Sequence, residues 1–170
     1  MRPATTVRVS TLKNGQNSLR IEIPEELLDI KSYQGCQIAI LSDVIANLDI
    51  LKSHEQLFLT GTVDFQAALN CADCGVEFDR FFSEPLEIEF QRATPTKAGP
   101  SVHELSDDEL ERAFYEGEEV DLLPPIRDTV LLAVPIAPLC KPDCKGICPE
   151  CGANLNEVEC SCCVTADAAE

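Results

Sequence analysis

The sequence predicts an α+β protein: a β-rich antiparallel sheet with one docked helix and a cysteine-rich segment near the C-terminus. Three observations predict it. Residues 57–92 alternate apolar and polar side chains in two long arms flanking Cys71-Ala-Asp-Cys74-Gly75, the period of a half-buried strand. Residues 122–134 carry Ile126, Val130, Leu131 and Val134 on one face at helical spacing. Residues 140–163 hold seven of the ten cysteines, a density that reads as metal ligation, with zinc as the fitting ion.

Each element can be justified in order. Leu19-Arg-Ile21-Glu-Ile23 alternates and is strand-like. Pro24-Glu-Glu-Leu-Leu opens a short turn or helical start with acids in its first turn, and Tyr33-Gln-Gly35-Cys36 is a break. An apolar run over 38–41 is followed by Val44, Ala46, Leu48 and Ile50 on one face, again a strand. Lys52-Ser-His54-Glu is polar and turns. In the long arms, Leu57, Leu59, Val63 and Phe65 precede the Cys71–Cys74 pair, and Phe78, Leu86, Ile88 and Phe90 follow it. The pair therefore belongs at the tip of a β-hairpin. Residues 93–121 carry nine acidic residues against two basic ones. Ser106-Asp-Asp-Glu suits the cap of a short helix through Tyr115, but the stretch reads mainly as a solvated loop, a linker before it is an acidic interaction arm. Asp121 then reads as the N-cap of a helix whose first turn accommodates Pro124 and Pro125 and which Pro135 ends. The chain divides accordingly into an N-terminal strand and turn segment (1–35), a β-rich core (36–135) containing the acidic loop (93–121) and the helix (122–134), the cysteine-rich segment (136–163) and an acidic tail (164–170).

Composition narrows the function. The chain has 170 residues, 45% hydrophobic and 25% charged, the profile of a globular domain with at most a small appendage. The first residues lack the apolar core of a signal peptide, and no apolar run approaches the roughly eighteen residues that span a bilayer. A cytoplasmic location is expected, where thiols stay reduced and clustered cysteines mean metal rather than disulfides. The formal net charge is -17, and two zinc ions on eight thiolates would take it to about −21. Direct phosphate binding needs clusters of Lys and Arg. The cysteine-rich stretch instead sets Lys141 and Lys145 against Asp143, Glu150, Glu157 and Glu159. Such a protein suits a basic partner.

The candidate metal ligands are Cys71, Cys74, Cys140, Cys144, Cys148, Cys151, Cys160 and Cys162, enough for two tetrahedral four-cysteine sites. Cys148-Pro-Glu-Cys151-Gly152 repeats the Cys-x2-Cys-Gly form of Cys71–Gly75: two thiols reach one ion from one tight turn, and the glycine is free to take positive φ. Spacing leaves the partition open. The two knuckles, Cys71/Cys74 and Cys148/Cys151, share one site while the other four form a second. Alternatively, one local site uses four of the last seven thiols and leaves Cys71 and Cys74 free. Cys36 reads as a small buried hydrophobe and Cys163, beside Cys162, as a bystander. An iron–sulfur cluster is the rival metal group, but closed four-cysteine sites favour structural zinc.

Catalysis is not expected. The chain has no dinucleotide-binding, phosphate-loop or nucleophile-elbow motif, and His54 and His103 lie in polar segments. A thioredoxin-like role for Cys71-x2-Cys74 would require a helix N-terminus after it, whereas the following residues alternate as a strand.

Several of these stretches resemble one family. They are Cys71-Ala-Asp-Cys74-Gly75 after a long strand; Tyr115-Glu-Gly-Glu-Glu-Val-Asp121-Leu122-Leu with Leu131-Leu-Ala-Val-Pro135; and Leu139-Cys-Lys-Pro-Asp-Cys-Lys-Gly-Ile-Cys-Pro-Glu-Cys-Gly-Ala-Asn-Leu-Asn closing on Cys160-Ser-Cys162. Together they are similar to the YceD family, the large ribosomal RNA subunit accumulation proteins, over roughly positions 36–162. The resemblance implies a non-enzymatic ribosome-biogenesis role in accumulation of large-subunit ribosomal RNA. The partner expected with it is a large-subunit ribosomal protein or pre-ribosomal particle, with RNA contact indirect and no membrane or small-molecule substrate. The gene often neighbours that of a small large-subunit ribosomal protein, and some members of the family lack the C-terminal cysteines. The alternative from another class is a thiol-based redox- or metal-responsive regulator.

Overall fold

The computed structural model describes residues 5–30, 39–93 and 112–162. The sheet-rich, mostly antiparallel fold expected from the sequence is what it shows. A main sheet runs in the order β2 (Gly15–Ile23), β4 (Val44–Ser53), β5 (Gln56–Asn70), β6 (Glu77–Arg92) and β7 (Arg112–Tyr115), with the short β3 (Ala39–Ile40) pairing β5 beyond the end of β4. β1 (Thr6–Arg8) and β8 (Glu119–Asp121) form a separate antiparallel pair. Two helices complete the described elements besides a short 3-10 turn: one turn over Glu25–Leu28 (α1) and Leu123–Ala133 (α2).

Alternation sets which face is buried. Along β4, Val44, Ala46, Leu48 and Ile50 all point inward and are buried. β2 meets β4 from Gly15 opposite Lys52 to Ile23 opposite Val44. In the long hairpin Leu57 lies opposite Phe90, Leu59 opposite Ile88 and Phe65 opposite Phe82. The Phe65 and Phe82 rings stack at 4.9 Å between centroids, a cross-strand contact that adds to simple burial. α2 covers this inner face with Ile126 and Val130, both fully buried, and with Leu131 and Val134 packed at its margin. The apolar stripe read from the sequence is therefore the docking face. Leu123 donates its N–H to the Asp121 carboxylate at 3.0 Å, so Asp121 relieves one orphan donor of the first turn although it lies one residue before the cap position, Leu122.

The acidic stretch departs from expectation. Residues 112–115 are a strand and not the end of a helix, and 119–121 are another strand within what reads as loop. The reason is that Tyr115 and Val120 are buried between solvated neighbours, so a few apolar residues suffice to seat short strands whose carboxylates stay in water. β7 also pairs β6 in parallel, Phe90 opposite Ala113, the one departure from antiparallel order among the described residues. The Tyr115 hydroxyl donates to the Glu55 carbonyl at 3.1 Å and fastens this edge to the β4–β5 turn. The Ser106 capping segment and Cys36 lie outside the described residues.

Candidate metal centre

The hairpin tip and the tail use the same local turn. At the tip, Cys71 N–H donates to the Val76 carbonyl and Gly75 N–H to the Cys71 carbonyl, each at 2.9 Å, with Gly75 at φ +71°. In the tail, Cys148 N–H donates to Ala153 and Gly152 N–H to Cys148, each at 2.8 Å, with Gly152 at φ +72°. This is the turn that the Cys-x2-Cys-Gly spacing predicts, with a glycine where a left-handed backbone is required.

Two contacts decide which thiols meet. Ala72 N–H donates to the Pro138 carbonyl at 2.8 Å, bringing the tail alongside the hairpin tip. Gly146, at φ +70°, passes so near that a Cβ there would sit 3.3 Å from the Asp73 carbonyl oxygen. Cys140 and Cys144 are thereby delivered to Cys71 and Cys74. The sulfurs of Cys71 and Cys144 lie 3.7 Å apart, as do those of Cys74 and Cys140. Further on, an antiparallel bridge between Ile147 and Asn154 folds the second knuckle back on the end of the tail. Cys151 Sγ is 3.3 Å from Cys160 Sγ, which is 3.5 Å from Cys148 Sγ. The result is two groups able to hold a metal ion, Cys71/Cys74/Cys140/Cys144 and Cys148/Cys151/Cys160/Cys162, each with all four sulfurs within 4.8 Å of one another.

This grouping differs from both partitions considered from spacing. The two knuckles do not share a site; the tail does group four of its last seven thiols locally, but Cys71 and Cys74 are not left free, because they meet Cys140 and Cys144. The sequence does not show that Pro138 and Gly146 dock on the hairpin tip, so it cannot pair Cys140 and Cys144 with cysteines roughly seventy residues earlier. Cys163 and His103 lie outside the described residues. His54 is an exposed turn residue between β4 and β5, at φ 56°.

Sequence reasoning also passed over Asn156 as a contributor. Its amide nitrogen donates to Cys144 Sγ at 3.3 Å, and its carbonyl oxygen accepts from Lys145 N–H at 3.0 Å. It thus stiffens the first group from within the loop of the second. The only signal for it was its place in the Asn154-Leu155-Asn156 turn.

The donor chemistry fits a divalent ion. Zinc–thiolate bonds of about 2.3 Å imply tetrahedron edges of about 3.8 Å, close to the 3.7 Å separations of the first group. Four thiols this close compete for negative charge. Burial opposes ionisation of Cys71, but backbone contacts from Cys140, Cys74 and Asp73 outweigh it and lower the thiol to about 6. Burial pushes Cys140 up to about 12, helped by the sulfurs of Cys74 and Cys71. In the second group the Cys151 thiol lowers Cys160 to about 6. The backbone at Ala153 favours the Cys151 thiolate, yet the sulfurs of Cys160 and Cys148 together carry that thiol up to about 12. A central cation is the arrangement under which all four can ionise.

A small, mostly antiparallel β protein whose tail is organised around two cysteine quartets able to hold metal is the class that fold and site define. The chain belongs to the YceD family: the model of that family, described as large ribosomal RNA subunit accumulation protein YceD, matches residues 59–168, which take in most of the long hairpin, α2 and both quartets. The chain is 35% identical over 122 residues to an uncharacterized protein of Mycobacterium tuberculosis, covering 69% of this chain and 55% of that one. It is 28% identical over 155 residues to an Arabidopsis thaliana protein named large ribosomal RNA subunit accumulation protein YCED homolog 1, chloroplastic, covering 79% of this chain and 46% of the other. A Zea mays protein of the same name is 28% identical over 141 residues. The chain spans about half the length of the curated relatives it matches. No solved structure matches it. Among the described residues no helix is long and apolar enough to cross a membrane.

Proposed function

We propose that the protein is a non-enzymatic cytoplasmic factor that supports accumulation of large-subunit ribosomal RNA by engaging a basic ribosomal protein or pre-ribosomal particle, with one structural zinc ion in each cysteine quartet. Membership of the YceD family supports the process. The observation that carries the partner class is charge: a chain at -17 attracts basic proteins and repels naked RNA. Cysteine-only donors at tetrahedral-edge distances support closed structural sites over a catalytic centre, which keeps an open position. Affinity purification from cells, with protein and RNA identified in the eluate, tests the reading. Recovery of a large-subunit ribosomal protein or precursor particle is expected; recovery of neither would sink it. Elemental mass spectrometry on protein purified without chelator tests the metal, with two zinc per chain expected and iron with inorganic sulfide as the contrary result. Cys151 and Cys162, exposed in the second quartet, favour a second reading in which that quartet responds to oxidants or metal supply. Its mark would be alkylation of these thiols before any chelator is added.

A further inference from the structure

Between β6, the strands β7 and β8 and the first turns of α2 lies a cavity of about 430 Å³. Its lining is mostly apolar, including Ile88, Phe90, Phe114, Pro124 and Pro125, with Glu119, Asp121 and Asp128 as the acidic residues. Among the described residues, no lysine, arginine or histidine lines it. Arg8 meets Glu119 at 3.4 Å in an exposed pair, and one oxygen of Asp121 accepts the α2 N–H already described; Asp128 is exposed. Phe114, on the edge strand of the main sheet, is 53% exposed. Its exposed ring lies next to the apolar lining of the cavity and to the acidic residues beside it, so apolar and anionic surface face water together.

The combination selects one occupant. A lysine or arginine lays a long aliphatic stem on an apolar lining while its cationic head reaches the acidic residues. The sequence between β6 and β7 is a poor source of such a segment: residues 94–111 carry five carboxylates against Lys97 alone. A second copy brings another -17 and is repelled. We propose that this cleft docks a basic segment of a protein partner, a lysine or arginine flanked by apolar side chains, with Phe114 as the apolar anchor and Asp128 as the principal charge contact. The proposal rests on the basic-partner reading above and assigns it a surface distinct from the cysteine quartets.

The test uses the full metal-loaded chain and a fluorescent peptide alternating lysine and leucine, with a glutamate–leucine peptide and a short single-stranded RNA as controls. Asp128→Lys and Phe114→Asp alter exposed cleft positions, whereas Glu87→Lys makes the same charge change as Asp128→Lys on the exposed outer face of β6. The expected result is that the basic peptide alone binds, that each cleft variant weakens it by roughly tenfold, and that Glu87→Lys changes it by less than about twofold. Equal weakening by Asp128→Lys and Glu87→Lys would mean attraction by overall charge and would overturn the cleft; so would no binding of the basic peptide, or tighter binding of RNA. Circular dichroism of each variant guards against misfolding, and Asp128→Asn serves as the milder substitution. Recovery of a ribosomal protein by the intact chain and by both cleft variants alike would leave the basic-partner reading standing while the cleft fell.

Discussion

The two cysteine quartets share ligand type and knuckle turn, yet they do different things to the chain. The first joins residues separated by 66 and 73 positions, tying the tip of the β5–β6 hairpin to the tail that leaves α2. The second is closed within one local loop, its close sulfur pairs separated by 9 and 12 positions. Their exposure differs too: the first has a buried Cys71 and three half-buried partners, whereas the second leaves Cys151 and Cys162 in solvent. Each doubling of a closed loop adds about 0.6 kcal/mol to the entropy removed from the unfolded chain. A metal in the first quartet would therefore stabilise the fold by about 1.5–2 kcal/mol more than one in the second, before any contact is counted. The lesson is that identical sets of four thiols join distant segments in one place and close a small loop in the other.

The largest expected effect breaks the comparison if it is absent. Replacing Cys71 and Cys74 together by serine is expected to remove one metal per chain and lower the melting temperature by about 6–12 °C, from about 3 kcal/mol of lost cross-linking and coordination. Cys151→Ser with Cys160→Ser should also remove one metal but shift the transition by only about 2–6 °C, from about 1–1.5 kcal/mol. Calorimetry paired with metal analysis decides; equal shifts would erase the distinction. A smaller effect concerns access. During limited chelation, alkylation followed by peptide mass spectrometry should find Cys151 and Cys162 modified roughly ten times faster than Cys71, and the reverse order would mean that the first quartet is the weaker site. The finest test uses two glycines of equal φ. Gly146→Ala and Gly152→Ala each force a side chain into the left-handed region, at about 1 kcal/mol, but only Gly146 presses on the hairpin tip. Urea unfolding should show Gly146→Ala as the more destabilising by about 0.5–1 kcal/mol.

Much of this architecture is written in local pattern. Val44, Ala46, Leu48 and Ile50 alternate strictly, the arms of the hairpin mirror each other, and Ile126, Val130 and Val134 repeat at helical spacing, so strand, hairpin and helix were legible wherever one face is buried. The strands at 112–115 and 119–121 were not, because Ala113-Phe114-Tyr115 and Val120 are short apolar pieces set in an acidic stretch, too brief to show a period, and only the neighbouring elements give Tyr115 and Val120 a core to enter. The cysteines that cluster in space were legible as a set; their pairing was not. It depends on the Ala72 to Pro138 hydrogen bond and on the passage of Gly146 past Asp73, and backbone contacts between distant segments leave no trace in residue spacing.

The docking of the tail on the hairpin also sets an order in time. A ribosome adding about 5–20 residues per second places Cys140 roughly 3–13 s after Cys74, given the 66 positions between them. Once Arg92 has followed, both arms of the β5–β6 hairpin are present and carry Cys71 and Cys74 at its tip, half of a binding site. The second quartet, by contrast, emerges nearly all at once. A four-thiol site at the hairpin tip therefore cannot close until the chain has been read through at least to Cys144.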